Sequence, residues 1–262
     1  QFPHRVSGVS GIVPLAGPAN RAGRLVADNI VDGPKNRYRG PLGTAIIRVF
    51  SQTAACTGVN EKTLVALGKP HQVVYLHPKS HAGYYPGADA MAMKVIYDPE
   101  MGSILGAQAV GGEGVDKRID VLATAIAGGL TVEDLTSIDL CYAPPFGSAK
   151  DPVNMAGMVA SNVRAGLVRT VTWGEVAALT EPYVVVDVRE AAERRRGAIP
   201  DSIHIPLGEL RERLEELPRD RLLVVSCQTG QRSYNACRVL MQTGFRSVNL
   251  SGAYQTWRMS VG

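Results

Sequence analysis

The sequence predicts an α+β domain with an antiparallel sheet, followed by an α/β domain whose parallel sheet carries helices on both faces. Three observations point there. Residues 91–111, "MAMKVIYDPEMGSILGAQAVG", give two β-rich runs joined by a turn containing Pro99 and Gly102, and helical periodicity follows them. From about residue 168 short apolar runs alternate with helical stretches, as expected for strands buried on both faces. The length of 262 residues, 45% of them hydrophobic, is enough for two cores at roughly 100–150 residues each.

Taken in order, "GPANRAGRLVADNIVDG" opens with Pro18 in a first-turn position and closes at Gly33, with Leu25, Val26, Asn29 and Ile30 forming a helical stripe. Residues 44–50 and 72–78 read as strands, with the short helix "NEKTLVALG" between them. Beyond the hairpin, "GVDKRIDVLATAIAGG" and "TVEDLTSI" have helical periodicity, the second capped by Thr131 with Asp134 three residues on. "DPVNMAGMVASNVRAG" is also helix-like, and the boundary falls near Arg164–Val168. The second domain then runs "TWGEVAAL" helix, "YVVVDV" strand, "AAERRR" helix, "SIHIP" strand, "LGELRERLEEL" helix, "RLLVVS" strand, "RSYNACRVLMQTG" helix and "SVNLSG" strand.

Composition narrows the function. A net charge of +4 gives no reason to expect nucleic acid as a partner, and Arg194, Arg195 and Arg196 read as a solvated surface. Cys56, Cys141, Cys227 and Cys237 show no C-x-x-C spacing, which fits reduced thiols in a cytoplasmic enzyme. His71, His77 and His81 are spread over a strand and its loop with no acidic partner nearby, so no metal is expected. No apolar run approaches the roughly 20 residues of a membrane span. The opening residues lack the pattern of a secretory signal and read as mid-domain.

The stretch "LLVVSCQTGQRSYNACRVL" carries the chemistry. Ligands of open α/β sheets gather beyond the carboxyl ends of the strands. Cys227 sits just past one such strand and just before a helix starting near Arg232. The loop Gln228, Thr229, Gly230, Gln231 should point its backbone N–H groups inward over the positive end of that helix, favouring thiolate. Gly230 allows the tight turn. A buried structural cysteine is the alternative, but an apolar filler needs no polar, glycine-containing loop ending in arginine. Cys237 shares a helical stripe with Leu240 and Met241 and reads as core.

"DVRE" (187–190), "GAIPDSIHIP" (197–206), "CQTGQRS" (227–233) and "SGAYQTW" (251–257) together resemble the rhodanese domain, over about the last 95 residues. The resemblance implies a sulfurtransferase in which Cys227 cycles through a persulfide, with Arg232 and Ser233 completing its loop. It marks Asp187 and Arg189 as structural supports. The related phosphatases of the cell-division-cycle family place five residues between cysteine and arginine, whereas four intervene here. A tighter loop suits a terminal sulfur better than a phosphate.

"VPLAGPANRAGRLVADNI" (13–30), "HAGYYPGA" (81–88), "GAQAVGGEGVDKRID" (106–120) and "YAPPFGSAKDPVNMAG" (142–157) resemble the C-terminal part of the pyridine-nucleotide-disulfide oxidoreductases, and the coenzyme A disulfide reductases among them. This implies a remnant of an FAD-binding domain over 1–34, a dimerisation domain over 35–164 and a rhodanese domain over 168–262. No G-x-G-x-x-G follows a strand, and the glycine cluster from Gly106 to Gly114 is weak evidence for a nucleotide site. The expectation is therefore a C-terminal piece of a longer flavoenzyme, unable alone to hold FAD or use NAD(P)H. The resemblance places Leu15 and Ala16 near the flavin, and makes Tyr84 and Tyr142 the tyrosines that reach across a homodimer to the partner's substrate thiol. Two aromatic packers at an oligomer interface are the alternative, but Tyr142 precedes "APPFG", a rigid segment that would aim it, which favours function there, whereas Tyr85 beside Tyr84 leaves that choice open. Lys117 and Arg118 either meet a phosphate of coenzyme A or lie on an exposed helix face.

The parent is then expected to be an FAD- and NAD(P)H-dependent reductase of coenzyme A disulfide, coenzyme A persulfide or polysulfide, fed by sulfur from Cys227. The competing expectations are a free-standing sulfurtransferase on a dimer scaffold, and a non-enzymatic oligomerisation module.

Overall fold

The computed structural model of the chain describes residues 1–261, which divide into two compact units, one built mainly from residues 1–158 and the other from residue 159 onward.

The first unit begins with the paired strands β1 (Phe2–Pro3) and β2 (Ser10–Gly11), then helix α1 (Ala16–Asp32), which stops at Gly33 with φ 82°. The apolar stripe of α1 forms as the spacing predicts, but no residue of the helix is buried. A sheet follows: β3 (Ala45–Val49), β4 (Gln52–Gly58), helix α2 (Glu61–Ala66), β5 (Gln72–Leu76), β6 (Met91–Tyr97) and β7 (Ile104–Gly111). Its order is β3-β4-β7-β6-β5, with the β3–β4, β4–β7 and β7–β6 pairs antiparallel. Helix α3 (Val115–Gly128) packs on β4 and β7. Thr131 and Asp134 form the reciprocal cap expected of them, yet only a single 3-10 turn, Asp134–Thr136, follows. Helix α4 (Pro152–Arg164) closes this part of the chain.

Strand β4 is absent from the sequence-based reading. Its residues, "QTAACTG", are small or polar and show no bulky alternation, although they sit between β3 and β7. Backbone approaches closely at its end, where a Cβ on Gly58 would stand 2.3 Å from the Leu105 carbonyl oxygen. Gly58 faces Gly106 in register, and a Cβ on Gly106 would stand 2.1 Å from the Val59 carbonyl oxygen. On Gly111 it would stand 2.8 Å from the Ala90 carbonyl oxygen. Gly106 and Gly111 therefore serve backbone packing, whereas a Cβ on Gly112 would meet the Asp89 carboxylate and one on Gly114 the Arg118 guanidinium. The histidines hold a second difference: His71 Nε2 lies 3.8 Å from Glu61, an acidic neighbour that the fold supplies and the local sequence does not.

The second unit contains β8 (Thr170–Val171), α5 (Trp173–Ala177), β9 (Tyr183–Asp187), α6 (Ala191–Arg194), β10 (Ile203–His204), β11 (Leu222–Ser226), α7 (Gln231–Gln242), β12 (Ser247–Leu250) and α8 (Ala253–Val261). The strands run in the order β10-β9-β11-β12-β8, every pair parallel. All five residues of central β11 are buried. Leu223 and Val225 enter the core with Val186 and Leu240, whereas Leu222 and Val224 enter the opposite one with Val185 and Tyr254. That is the two-faced burial a parallel sheet requires.

Two expectations fail here. Residues 207–217 carry a helical apolar pattern, and Leu210 and Leu217 are buried as that pattern requires. The backbone instead makes successive i to i+3 bonds, among them Leu210 N–H to Leu207 and Arg213 N–H to Leu210, ending in the 3-10 turn Leu214–Glu216. In α7, Cys237 and Leu240 are buried but Met241 is exposed, so the stripe is narrower than its spacing implies. Strand β8 and helix α8 come in addition to the elements that the residue pattern predicts.

Gly106→Ala is expected to lower the free energy of urea unfolding by about 2–3 kcal/mol, because the clash is with main chain that cannot rotate away. A loss below about 0.5 kcal/mol would show that β4 and β7 can separate without cost.

Candidate active site

Cys227 follows β11 directly, and Gly230 caps α7 with φ 113°, a conformation open in practice to glycine. Space is not the constraint, since the nearest atom to a Cβ there would be 3.9 Å away. Two donors reach the sulfur: the Gly230 N–H at 3.1 Å and the Ser233 hydroxyl at 3.4 Å. The loop's carbonyls are held from behind. Cys227 O accepts from Tyr254 N–H at 3.0 Å and Gln228 O from Gln255 N–H at 3.1 Å, both at the start of α8. Gly230 O accepts from Tyr234 N–H and from Asn249 Nδ2. In a trans peptide the N–H points opposite to the preceding C=O. The amides of Gln228, Thr229 and Gln231 are thereby turned away from α8 and Asn249. This backbone cradle at the N-terminal end of a 12-residue helix favours negative charge on sulfur.

The thiol is less open than the loop leads one to expect. Cys227 is 1% exposed and belongs to the core cluster that includes Leu223 and Ala236. Thr229 and Gly230 are half-buried above it and Gln231 is exposed. Arg232 is also placed differently from an arginine free to meet a ligand. Its Nη1 and Nη2 grip Glu193 at 2.7 and 2.6 Å. This grip holds the Glu193 carboxyl below its ordinary range, and the Arg232 guanidinium above its own. The pair therefore persists as pH falls through about 4.5 and opens only below that. Glu193 escaped the sequence reading because it lies 39 residues from its partner.

Asp187 and Arg189 support the loop. Arg189 donates to both Asp187 oxygens, to the Gly197 carbonyl and to Gln228 Oε1, and stacks 3.9 Å from the Tyr254 ring centroid. Arg194 is not simply solvated: it donates to Asp187 and to Ser202. Cys237 accepts no role in the cradle, and burial pushes its thiol up to about 12.

A second cluster lies in the first unit. Tyr84 and Tyr142 are 79% and 50% exposed, and hydrogen bonding with the Tyr142 phenol, in which Tyr84 keeps its proton, is the main reason that Tyr84 titrates above its usual 10.0. The Tyr84 phenol thus keeps its proton across the physiological range. Arg118 explains how two exposed loops bring these rings together. It is buried rather than on an open helix face, and donates to Asp151 at 2.8 Å and to the Ser80 carbonyl at 2.7 Å. Asp151 ends the loop carrying Tyr142, Ser80 begins the loop carrying Tyr84, and Ala82 N–H joins them at the Gly147 carbonyl. Arg118 is therefore committed, and Lys117 donates to the Phe146 carbonyl. Cys141 is exposed beside Tyr142.

Residues 44–152 match the pyridine nucleotide-disulphide oxidoreductase dimerisation domain, and residues 172–260 match the rhodanese-like domain. The chain joins these two domains. A coenzyme A disulfide reductase of Staphylococcus aureus (strain bovine RF122 / ET3-1) is 42% identical over 145 residues, covering 55% of this chain and 33% of that protein. The reduced CoADR-RHD of Bacillus anthracis superposes with a TM-score of 0.93 at 47% identity, over 97% of this chain and 46% of that one. A NAD-dependent persulfide reductase from A. fulgidus gives 0.88 at 40% identity, over 98% and 46%. The chain thus spans about a third of that curated relative and under half of these structures. Among the described residues no helix is long and apolar enough to cross a membrane, and no group of three or more metal-binding side chains forms.

In the dimerisation-domain unit, Leu15 and Ala16 line a cleft of about 850 Å³ with Arg21, Thr44 and Asp116. Leu15 is the N-cap of α1 and offers no side-chain cap, which leaves the leading amides of α1 to an outside acceptor.

Arg118→Ala is expected to cost about 3–5 kcal/mol in urea unfolding, since it strands the buried Asp151 carboxylate. With a thiol reagent at pH 8, Cys141 should label promptly and Cys237 only on unfolding, read by peptide mass.

Proposed function

We propose that this chain is the C-terminal part of an FAD- and NAD(P)H-dependent reductase of coenzyme A disulfide, coenzyme A persulfide or polysulfide, whose rhodanese-like domain loads sulfur onto Cys227. The observation that carries the reading is the sulfur of Cys227 held between the Gly230 amide and the Ser233 hydroxyl at the head of α7. The thiolate attacks the outer sulfur of a donor R–S–SH. The donor S–S bond breaks, RS⁻ leaves with the bonding pair and takes up the proton of the transferred sulfur, which stays on Cys227 as a persulfide anion stabilised by the cradle amides. The thiolate of coenzyme A then attacks that outer sulfur, forming coenzyme A persulfide and regenerating the Cys227 thiolate. Carrying both stations in one protein raises the effective concentration of one for the other.

The front unit is read as the partner-facing part of a homodimer, with residues 1–34 belonging to a flavin-binding domain. Bound FAD supplies two-electron transfer from NAD(P)H. The residues at hand fit one wall of its site: Leu15 and Ala16 bring uncapped helix amides to the cleft. In this reading Tyr142 and Tyr84, the latter holding its proton above the usual range, donate to the sulfur that leaves when the persulfide is cleaved.

After incubation with a persulfide donor, the wild-type chain should gain the mass of one sulfur atom on the Cys227 peptide, and Cys227→Ser should gain none. Labelling of the serine variant at wild-type level would end the sulfurtransferase reading. In the full-length parent, Tyr142→Phe should slow persulfide-dependent NADH oxidation by about 10²-fold. Unchanged turnover would reduce the tyrosine pair to packing.

A further inference from the structure

We propose that Glu193 is a specificity-determining residue: by pairing with Arg232 it makes the Cys227 loop discriminate against dianionic inorganic sulfur donors, such as thiosulfate, in favour of organic persulfides. The inference rests on the sulfurtransferase reading above and names the donor class for that site.

Three arginines stand around the loop, and each is already engaged. Arg189 and Arg194 donate to Asp187, and Arg232 donates through both terminal nitrogens to Glu193. With Glu190, which also acts electrostatically on Arg232, three carboxylates face three guanidinium groups and the local charge cancels. The Glu193 carboxylate is itself pinned. It accepts from the Glu190 N–H at 3.0 Å in a reciprocal cap at the start of α6, so it cannot swing away without uncapping that turn. A dianion approaching Cys227 would have to displace a bidentate carboxylate from Arg232 or accept a neutral surrounding. An organic persulfide carries at most one charge beside the reacting sulfur and needs no free cation there.

The chemistry balances for both donors. Thiosulfate would give up its outer sulfur to the Cys227 thiolate and leave as sulfite with the S–S bonding pair, and a persulfide would leave as a thiolate. They differ in the charge brought to the loop mouth.

The test measures sulfur loading of Cys227 in single turnover on the full 262-residue chain, with thiosulfate and with coenzyme A persulfide as probes. In Glu193→Gln the ratio of the thiosulfate rate to the persulfide rate should rise about tenfold, the size expected for removing one charge some ångströms from a dianion. The gain should appear as a lower half-saturating thiosulfate concentration. It should vanish when Arg232→Met is added. Gln keeps the acceptor for the Glu190 amide, and Glu190→Gln, which leaves the Glu193 side chain in place, should move the ratio two- to threefold in the same direction. A ratio that stays within twofold in both single variants, or a gain that survives loss of Arg232, overturns the proposal while leaving Cys227 as a sulfur carrier. Failure of the wild-type chain to load sulfur from either probe overturns the sulfurtransferase reading itself.

Discussion

The guanidinium of Arg189 fixes the thiol loop. It is buried, yet it reaches Asp187 at the end of β9, the Gly197 carbonyl, Gln228 beside the thiol, and the ring of Tyr254 on α8. Four separate pieces of chain are brought to one plane of donors. Gly197, at φ 135°, is part of the same arrangement, since a Cβ there would meet the Tyr254 hydroxyl at 2.3 Å. A buried charge of this kind is tolerated only because its hydrogen bonds are satisfied together. Without it, α8 would lose its ring contact, and with it the anchor that turns the loop's carbonyls backward.

Arg118 solves a related problem in the first unit. Two exposed loops, each too polar and too rich in glycine or proline to order itself, are tied to one buried cation through Ser80 and Asp151. The tyrosines on those loops can be exposed because their supports are not. In both units an arginine on or beside a regular element organises irregular backbone, and the groups available for chemistry sit one step out.

Much of this was legible in the residues. The β91–111 hairpin, the parallel alternation after residue 168, and the strand-to-helix position of Cys227 follow from local periodicity and turn residues, and all appear. What escaped has nonlocal causes. Strand β4 is made of small or polar residues and ends at Gly58, where a Cβ would stand 2.3 Å from the Leu105 carbonyl oxygen, so it lacks the bulky alternation that marks a strand. Residues 207–217 bury the expected leucines through a different backbone path. The Arg232–Glu193 and Arg118–Asp151 pairs span 39 and 33 positions. Spacing along a chain cannot announce a partner that only the completed sheet delivers. The loop sequence foretells the cradle, but it is silent on whether its arginine is free.

The way the thiol loop is fastened has a consequence for how it can evolve. Its shape is set by main-chain carbonyls bound to α8 and by the one positive φ at Gly230. The side chains of Thr229 and Gln231 have no share in those fastenings. Geometry and chemical character are thus written in separate alphabets: substitution at those two positions can retune charge and bulk at the mouth, while the path of the backbone around the sulfur is inherited intact.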